Sequence, residues 1–326
     1  MKANVIYLQS GFWKQLQMDT SIAGLRCVLN VYEAISEANL RTDIEDEIWD
    51  SDPFLKMLWK RYTEGQSDIE LFEKILADKP ELTAEGLSAI YLTELDGKKC
   101  EQLAISYGIA AINSVDMPRK EYLFKGDGFM LKKSDTYDNR YLQFKSKIHY
   151  PCNSMILIDP YLLSKRENIE NNLYYLLEVI LPEKRLDVPF QIAIFSMLGA
   201  KNNDAYDAKK GEAYYNDISN LIKAINKKLD FSLALYAIGA SEEFHSRIII
   251  TNNIIFDAPD GFEVYNDNGQ STKNALFNIV FPRLVGDNRQ DMSNYLRWIK
   301  IAKKRSVKQM DSQFWGVRDN RLFDLV

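Results

Sequence analysis

The sequence has few cysteines and histidines, and this scarcity narrows the chemistry open to it. Its three cysteines, Cys27, Cys100 and Cys152, lie far apart, so neither a disulfide framework nor a structural zinc site is predicted. An odd, sparse set of thiols fits a reducing, cytoplasmic compartment. The only histidines are His149 and His245, which argues against a metal site built on imidazoles and leaves a carboxylate site open.

Long apolar runs are missing as well. No segment reaches the roughly 18 uninterrupted apolar residues that a membrane-spanning helix needs, and Met1–Asn4 leads directly into a strand-sized segment instead of a signal peptide. There is no internal repeat, low-complexity tract or Gly-rich phosphate loop. A chain of 326 residues is long for one core, so we expect two domains and no membrane span.

The first half of the sequence alternates short apolar runs with amphipathic segments. This order predicts that residues 1–117 form an α/β domain, a parallel sheet with helical crossovers. Residues 118–150 change character around Gly126-Asp127-Gly128 and predict a small hairpin and a connector. The strands predicted in the first domain are Val5–Leu8, Ala89–Thr93 and Ile109–Asn113, and Gly97–Tyr107 predicts a helix that ends at Gly108 as its C-cap.

The second half repeats the alternation, so residues 151–326 predict a second α/β domain with a larger sheet. Its last helix, Met292–Lys304, is rich in lysine and arginine. The predicted strands are Met155–Ile158, Phe190–Met197, Phe231–Ala237, Arg247–Thr251 and Ile254–Phe256.

The net charge of −5 hides an asymmetry. Residues 1–150 carry 19 basic and 24 acidic side chains, whereas the remainder carries 22 of each. Within that remainder, residues 283–321 hold ten basic against four acidic side chains. Such a stretch is either a surface for nucleic acid or a solvated helix face. The candidate nucleic-acid-binding residues are Arg297, Lys300, Lys303, Lys304 and Arg305.

A motif in the second half has the spacing of a catalytic half-site. The segment contains His245, Arg247 and Asn252, followed by Gly261-Phe262. It resembles the phospholipase D superfamily, whose half-site is His, any residue, Lys, four residues, Asp, and then a Gly-Ser pair. The resemblance covers roughly residues 150–305 and includes an opening strand that ends in Asp159. Arginine, asparagine and phenylalanine stand here where the family has lysine, aspartate and serine.

The resemblance implies phosphodiester chemistry. A histidine attacks phosphorus, a neighbouring cation neutralises the growing charge, and a second half-site supplies the general acid. With one such histidine, catalysis by His245, Arg247 and Asn252 would need a homodimer that brings two copies together. The substitutions equally suit a domain that binds phosphate without cleaving it, because Asn252 cannot hold an imidazolium electrostatically. An ordinary structural role for His245 and a simple turn at Asp159 also stay open.

The first half has a weaker resemblance. Segments Val5–Trp13 and Ala89–Asp96 resemble the PIN-domain ribonucleases, in which acids at strand ends hold Mg²⁺. Gln9 stands where that family has its first acid, and Glu94 and Asp96 stand where later acids would be. The alternative is an α/β domain without a metal. The candidate middle ligands are Glu33, Asp43 and Glu45.

These observations favour a cytoplasmic protein directed at nucleic acid or another phosphate-bearing partner, of the kind that bacterial defence or toxin systems use. Binding of a phosphate backbone is the first hypothesis. An active phosphodiesterase or nuclease, with a site shared across a homodimer, is the alternative. No cofactor is expected, apart from Mg²⁺ if the first domain is active.

Overall fold

The computed structural model describes most of the chain. The described residues are 5–36, 38–44, 46–59, 82–124, 126–134, 141, 144–145, 150–199, 208–238, 247–284, 289–308 and 313–326.

The first sheet has four parallel strands in the order β2-β1-β3-β4. Its strands are β1 (Val5–Leu8), β2 (Asn39–Thr42), β3 (Ile90–Thr93) and β4 (Ala110–Asn113). Every residue of β1, β3 and β4 is buried, as expected for parallel strands covered on both faces. Strand β2, at one edge of the sheet, is more polar and partly exposed.

Helices connect these strands and cover the sheet. The last of them begins at the N-cap Asp96 and ends at Gly108, which has a left-handed φ of 63°, so the predicted glycine C-cap is confirmed. A 3₁₀ segment, Met117–Phe124, follows β4. The helices are α1 (Ser10–Met18), α2 (Ile22–Ser36), α3 (Asp46–Ser51), α4 (Pro53–Trp59), α5 (Ala84–Ser88) and α6 (Gly97–Tyr107).

The second sheet has eight strands in the order β12-β8-β7-β6-β9-β10-β11-β5. Strands β6, β7 and β8 are parallel, and β9 runs antiparallel to β6 and forms a hairpin with β10. The strands are β5 (Asp127–Leu131), β6 (Ser154–Ile158), β7 (Phe190–Ser196), β8 (Phe231–Ala237), β9 (Ile248–Thr251), β10 (Ile255–Asp257), β11 (Ala275–Val280) and β12 (Phe314–Gly316).

Three helices belong to this sheet. A π-helical turn, Ile169–Leu173, leads into α7 (Tyr174–Ile180). Helices α8 (Ala208–Ile225) and α9 (Arg289–Lys308) follow, and a 3₁₀ turn spans Arg321–Leu325. Helix α9 covers one face of the sheet with Tyr295, Ile299 and Ala302, among other side chains.

The predicted fold class, α/β with two sheets, is confirmed. One difference concerns the segment interpreted as a connector. Among the described residues of this segment, β5 pairs with no neighbouring strand of its own and runs antiparallel to β11. Leu131 lies opposite Ala275, more than 140 residues further along the chain. A local sequence pattern cannot identify such a partner, because the pairing of an edge strand is decided by the rest of the sheet.

A buried polar junction joins the two sheets, and a single apolar core contains residues of both. Arg283 is fully buried and donates hydrogen bonds to the carbonyl oxygens of Ser88, Val5 and Asn252, the last two at 3.0 and 3.2 Å. Burial lowers the pKa of Arg283. Among the described residues, no helix is long and apolar enough to cross a membrane.

Candidate functional site

The carboxyl end of β6 gathers the residues of the motif that lie in the described part of the chain. Strands β6 and β9 are antiparallel, with Ile158 opposite Ile248. One step beyond that pair, Asp159 at the end of β6 therefore adjoins Arg247 at the start of β9. In α/β proteins, the carboxyl ends of parallel strands are where ligands most often bind.

Asp159 is a buried, fully engaged carboxylate. Its Oδ1 accepts hydrogen bonds from the amides of Tyr161 (2.8 Å) and Leu162 (3.2 Å), and its Oδ2 accepts one from the amide of Phe262 (2.9 Å). Burial raises the pKa of Asp159, while these hydrogen bonds and the charge of Arg247 oppose that rise. Asp159 thus forms the expected strand-exit turn and also ties that turn to the loop after β10.

The guanidinium of Arg247 is held in place on two sides. It lies over the ring of Tyr161, with Cζ 5.2 Å from the ring centroid, and its Nη1 donates to the carbonyl oxygen of Pro259 at 2.6 Å. The side chain is partly exposed. A guanidinium has five N–H donors, and within the described residues the hydrogen bond to Pro259 uses one of them.

Gly261 makes this close packing possible. Its φ is +89°, a left-handed conformation that other residues rarely adopt. A Cβ added there would lie 3.0 Å from Cδ of Arg247 and 3.5 Å from Oδ2 of Asp159. The glycine that follows the motif therefore has a steric role beside the arginine.

Asn252 lies at the opposite end of β9. Its Oδ1 accepts from the amides of Asn153 (2.9 Å) and Ser154 (3.0 Å), and its Nδ2 donates to Oγ of Ser88 (3.1 Å). The intervening strand has four residues, which at about 3.3 Å per residue separates Asn252 from Arg247 by roughly 16 Å. The structure therefore does not bring Asn252 to Arg247; it places Asn252 in the junction between the sheets.

Both histidines lie outside the described residues. His245 precedes Arg247 by two residues, and it falls in the undescribed segment 239–246. His149 falls in segment 146–149. The catalytic role assigned to His245 stays a prediction.

A cleft of about 660 Å³ adjoins the arginine. Tyr161, which stacks on Arg247, lines it together with Lys165, Asn168 and Glu263. Burial raises the pKa of Glu263, Lys273 opposes that rise, and Asp159 adds to it. Arg247 opposes that rise as well, so its charge acts on the Glu263 carboxylate in the cleft wall.

At the first sheet, Gln9 lies at the carboxyl end of β1, where the PIN-like resemblance expects an acid. It is buried, and its Oε1 accepts from the hydroxyl of Thr93 and from the amide of Glu94 (2.7 Å). The carboxylate of Glu94 accepts from the amide of Gly11 at 2.9 Å. Gln9 therefore links two neighbouring strands, and Glu94 caps the start of α1.

The other acids proposed for this edge also have local partners. Asp43 accepts from the amide of Ser10 at 2.6 Å, and burial raises its pKa, as does the nearby Glu94. Asp96 accepts from two amides at the start of α6. Glu33 lies exposed on α2, and Glu45 is outside the described residues.

In the described part of the chain, no three His, Cys, Asp or Glu side chains converge to hold a metal ion. The acids at this edge, Glu94 and Asp96 included, cap helices or bind backbone amides. The Mg²⁺ site that the resemblance implies at Glu94 and Asp96 stays a prediction.

The five residues proposed to bind nucleic acid do not all lie on the exposed face of the basic C-terminal helix, α9. Arg297, Lys300 and Lys304 are exposed on one face of α9, as their spacing predicts. Lys303 points elsewhere: its Nζ donates to the carbonyl oxygens of Phe323 and Val326, each at 2.8 Å. Arg305 is partly buried. The face that could contact phosphates therefore includes three of the five residues.

Sequence reasoning missed the residues that line the cleft. Asn168 lines the cleft, and Asn172 lies four residues further along in the same helical segment; both are buried. Asparagine at buried positions of such a helix is uncommon, because its amide needs hydrogen-bond partners. That pattern was the available signal for a polar site at this place.

Comparisons with known proteins add little. No family model matches the chain, and no curated protein matches it. Among solved structures, the crystal structure of phosphatidylserine synthase from Haemophilus influenzae Rd KW20 aligns with 99% of this chain and 84% of that chain, at 9% sequence identity and a TM-score of 0.30. A TM-score that low carries no argument about fold or function.

Proposed function

We propose that the protein binds phosphate groups of nucleic acid or another phosphate-bearing partner through a phospholipase-D-like site centred on Arg247. The observation that carries the proposal is the placement of this guanidinium at the carboxyl end of β6, between the Tyr161 ring and the Pro259 carbonyl. A positioned guanidinium matches two phosphate oxygens at once, with charge-assisted hydrogen bonds.

Several features support binding more than cleavage. The chain carries a single half-motif, whereas the covalent mechanism uses two. Asn252 replaces the carboxylate of the family motif and is committed to the junction between the sheets. Asp159, the buried carboxylate near Arg247, already accepts three backbone hydrogen bonds.

The test is a calorimetric titration of the full chain with inorganic phosphate and, separately, with dimethyl phosphate. Arg247→Met should weaken binding by about tenfold or more, since one charge-assisted contact contributes roughly 1.5–3 kcal/mol. Arg247→Lys should retain part of the affinity, because it keeps the charge and loses the bidentate geometry. Arg185→Met, at an exposed position, is the matched control. Equal affinity in Arg247→Met and wild type would refute the proposal.

The second candidate is a phosphodiesterase that shares His245 across a homodimer. Its support is the position of His245, two residues before an arginine that lies at the candidate site. Cleavage of DNA, RNA or bis(p-nitrophenyl) phosphate should then resist EDTA and disappear in His245→Ala. The active species should sediment as a dimer. An EDTA-sensitive activity that survives His245→Ala would instead move attention to Glu94 and Asp96.

A further inference from the structure

We infer that the cleft beside Arg247 is a sugar-binding subsite, so that the ligand is a sugar phosphate with its phosphate on Arg247 and its hydroxyls in the cleft. This inference rests on the proposed function and names the chemical class of its ligand. It depends on three observations: the cleft adjoins the arginine, a residue that lines it has a buried donor without a partner among the described residues, and its lining residues are polar, charged or aromatic.

The cleft and the arginine share walls. The Tyr161 ring lies under the Arg247 guanidinium and also lines the cleft. Glu263 lines the cleft and responds electrostatically to both Arg247 and Asp159. A phosphate bound to the arginine would therefore direct its ester substituent into the cleft.

The orientation of the Asn168 amide follows from its neighbours. The Oδ1 of Asn172 accepts from the amides of Val264 (3.1 Å) and Tyr265 (2.9 Å), so its other amide atom must be the NH₂ group. That group donates to the Oδ1 of Asn168 at 3.3 Å. Because Oδ1 of Asn168 accepts this hydrogen bond, the other amide atom of Asn168 is its NH₂ group, which can only donate.

This donor has no partner within the described part of the chain. Asn168 is only 7% exposed, and it lines the cleft. A buried donor without a partner costs about 1–3 kcal/mol. An acceptor oxygen of a ligand would remove that cost. Asn168 is the N-cap of the π-helical turn Ile169–Leu173, and Asn172 lies within it; such turns are rare elements that are frequent at functional sites.

The lining of the cleft favours hydroxyl groups. Its twelve lining residues are two tyrosines and ten polar or charged residues, so most of its walls carry hydrogen-bonding groups. The carboxylates of Glu167, Glu263 and Asp267 would repel a second phosphate, but they accept hydrogen bonds from hydroxyls. Lys165 and Lys273 supply donors on the same walls. A volume of about 660 Å³ is also in the range of small-molecule sites.

The experiment compares ligands by calorimetry on the full chain. Ribose 5-phosphate should bind about tenfold more tightly than inorganic phosphate, since one rescued buried hydrogen bond has about that effect. Asn168→Asp keeps the acceptor for Asn172 and loses the donor, and it should abolish that difference. Asn168→Ala is the second variant. Asn274→Asp, an exposed asparagine whose Oδ1 accepts from the Lys133 amide, is the matched control.

The outcomes separate the two proposals. Equal affinities for ribose 5-phosphate and inorganic phosphate in wild type overturn the sugar subsite and leave the phosphate site standing. A preference for ribose 5-phosphate that survives both Asn168 variants overturns the assignment to this cleft. Absence of any phosphate binding overturns both proposals. If the preference depends on Asn168, competition by single-stranded RNA but not DNA identifies a nucleic-acid ribose, and lack of competition identifies a free sugar phosphate.

Discussion

Asn153 and Asn252 pair reciprocally where β6 and β9 meet. The Oδ1 of Asn252 accepts from the backbone amide of Asn153 at 2.9 Å, and its Nδ2 donates to the Oδ1 of Asn153 at 3.2 Å. Arg321 donates to that same Oδ1 at 2.9 Å. The pair is part of the polar network that joins the two sheets, so the last residue of the motif stabilises the fold.

Substitution of Asn252 should therefore change stability and leave phosphate binding intact. Asn252→Ala leaves the buried amides of Asn153 and Ser154 without their acceptor, and we expect a loss of about 2–4 kcal/mol in the free energy of unfolding. Urea denaturation gives this quantity, and calorimetry gives the affinity for phosphate. Asn274→Ala is the exposed control. A tenfold loss of phosphate affinity at unchanged stability would show that Asn252 acts in the site.

Gly261→Ala should affect both stability and binding. The φ of +89° strains a residue with a Cβ by about 1–2 kcal/mol. The new Cβ would also lie only 3.0 Å from Cδ of Arg247, so the arginine side chain would have to move. We expect roughly tenfold weaker phosphate binding. Gly269→Ala, with a φ of +72°, shares the backbone strain without contact to Arg247. If both variants lose the same affinity, the steric role of Gly261 is disproved.

The exposed face of α9 should contribute to any nucleic-acid binding through phosphates. Reversing the charges of Arg297, Lys300 and Lys304 to glutamate should reduce the slope of log K against log salt by up to about 3, since each phosphate contact contributes about 0.9. A filter-binding titration at several salt concentrations measures this slope. The control is the same lysine-to-glutamate charge reversal at three exposed lysines, Lys223, Lys227 and Lys228. An unchanged slope would mean that the α9 face is only solvated.

Asp257 should make stability depend on pH. Burial raises its pKa in the folded protein, and the hydrogen bond with Asn278 opposes the rise. Because the folded pKa exceeds the unfolded value of about 3.9, its favourable contribution is present below that value and is lost as the pH rises through the folded pKa.

Asp257→Asn should therefore raise Tm at pH 7 by about 1–3 °C, and the difference from wild type should vanish towards pH 4. Thermal denaturation across this range measures it. Asp187→Asn, at an exposed position, should show no such trend. A difference that is the same at every pH would contradict the assignment to burial.

The sequence alone predicts the helices and strands whose formation depends mainly on their own residues. Strands β1 and β8 were predicted at the bounds observed, Val5–Leu8 and Phe231–Ala237, because fully buried strands require continuous apolar runs. Helix α6 and its terminal glycine were predicted for a similar reason, since a left-handed cap requires a residue without a Cβ.

Tertiary structure decided what depends on partners distant in the chain. Strand β2, with the polar sequence Asn-Leu-Arg-Thr, has no strand signal of its own and forms because β1 pairs with it. The length of β9 separates Asn252 from Arg247, although the motif places them five residues apart. The cleft is lined by residues from distant parts of the chain, and Asn172 joins these parts by binding backbone amides 92 and 93 residues further along. Apolar periodicity is a local property, whereas a polar site is defined by the partners that the fold brings to it.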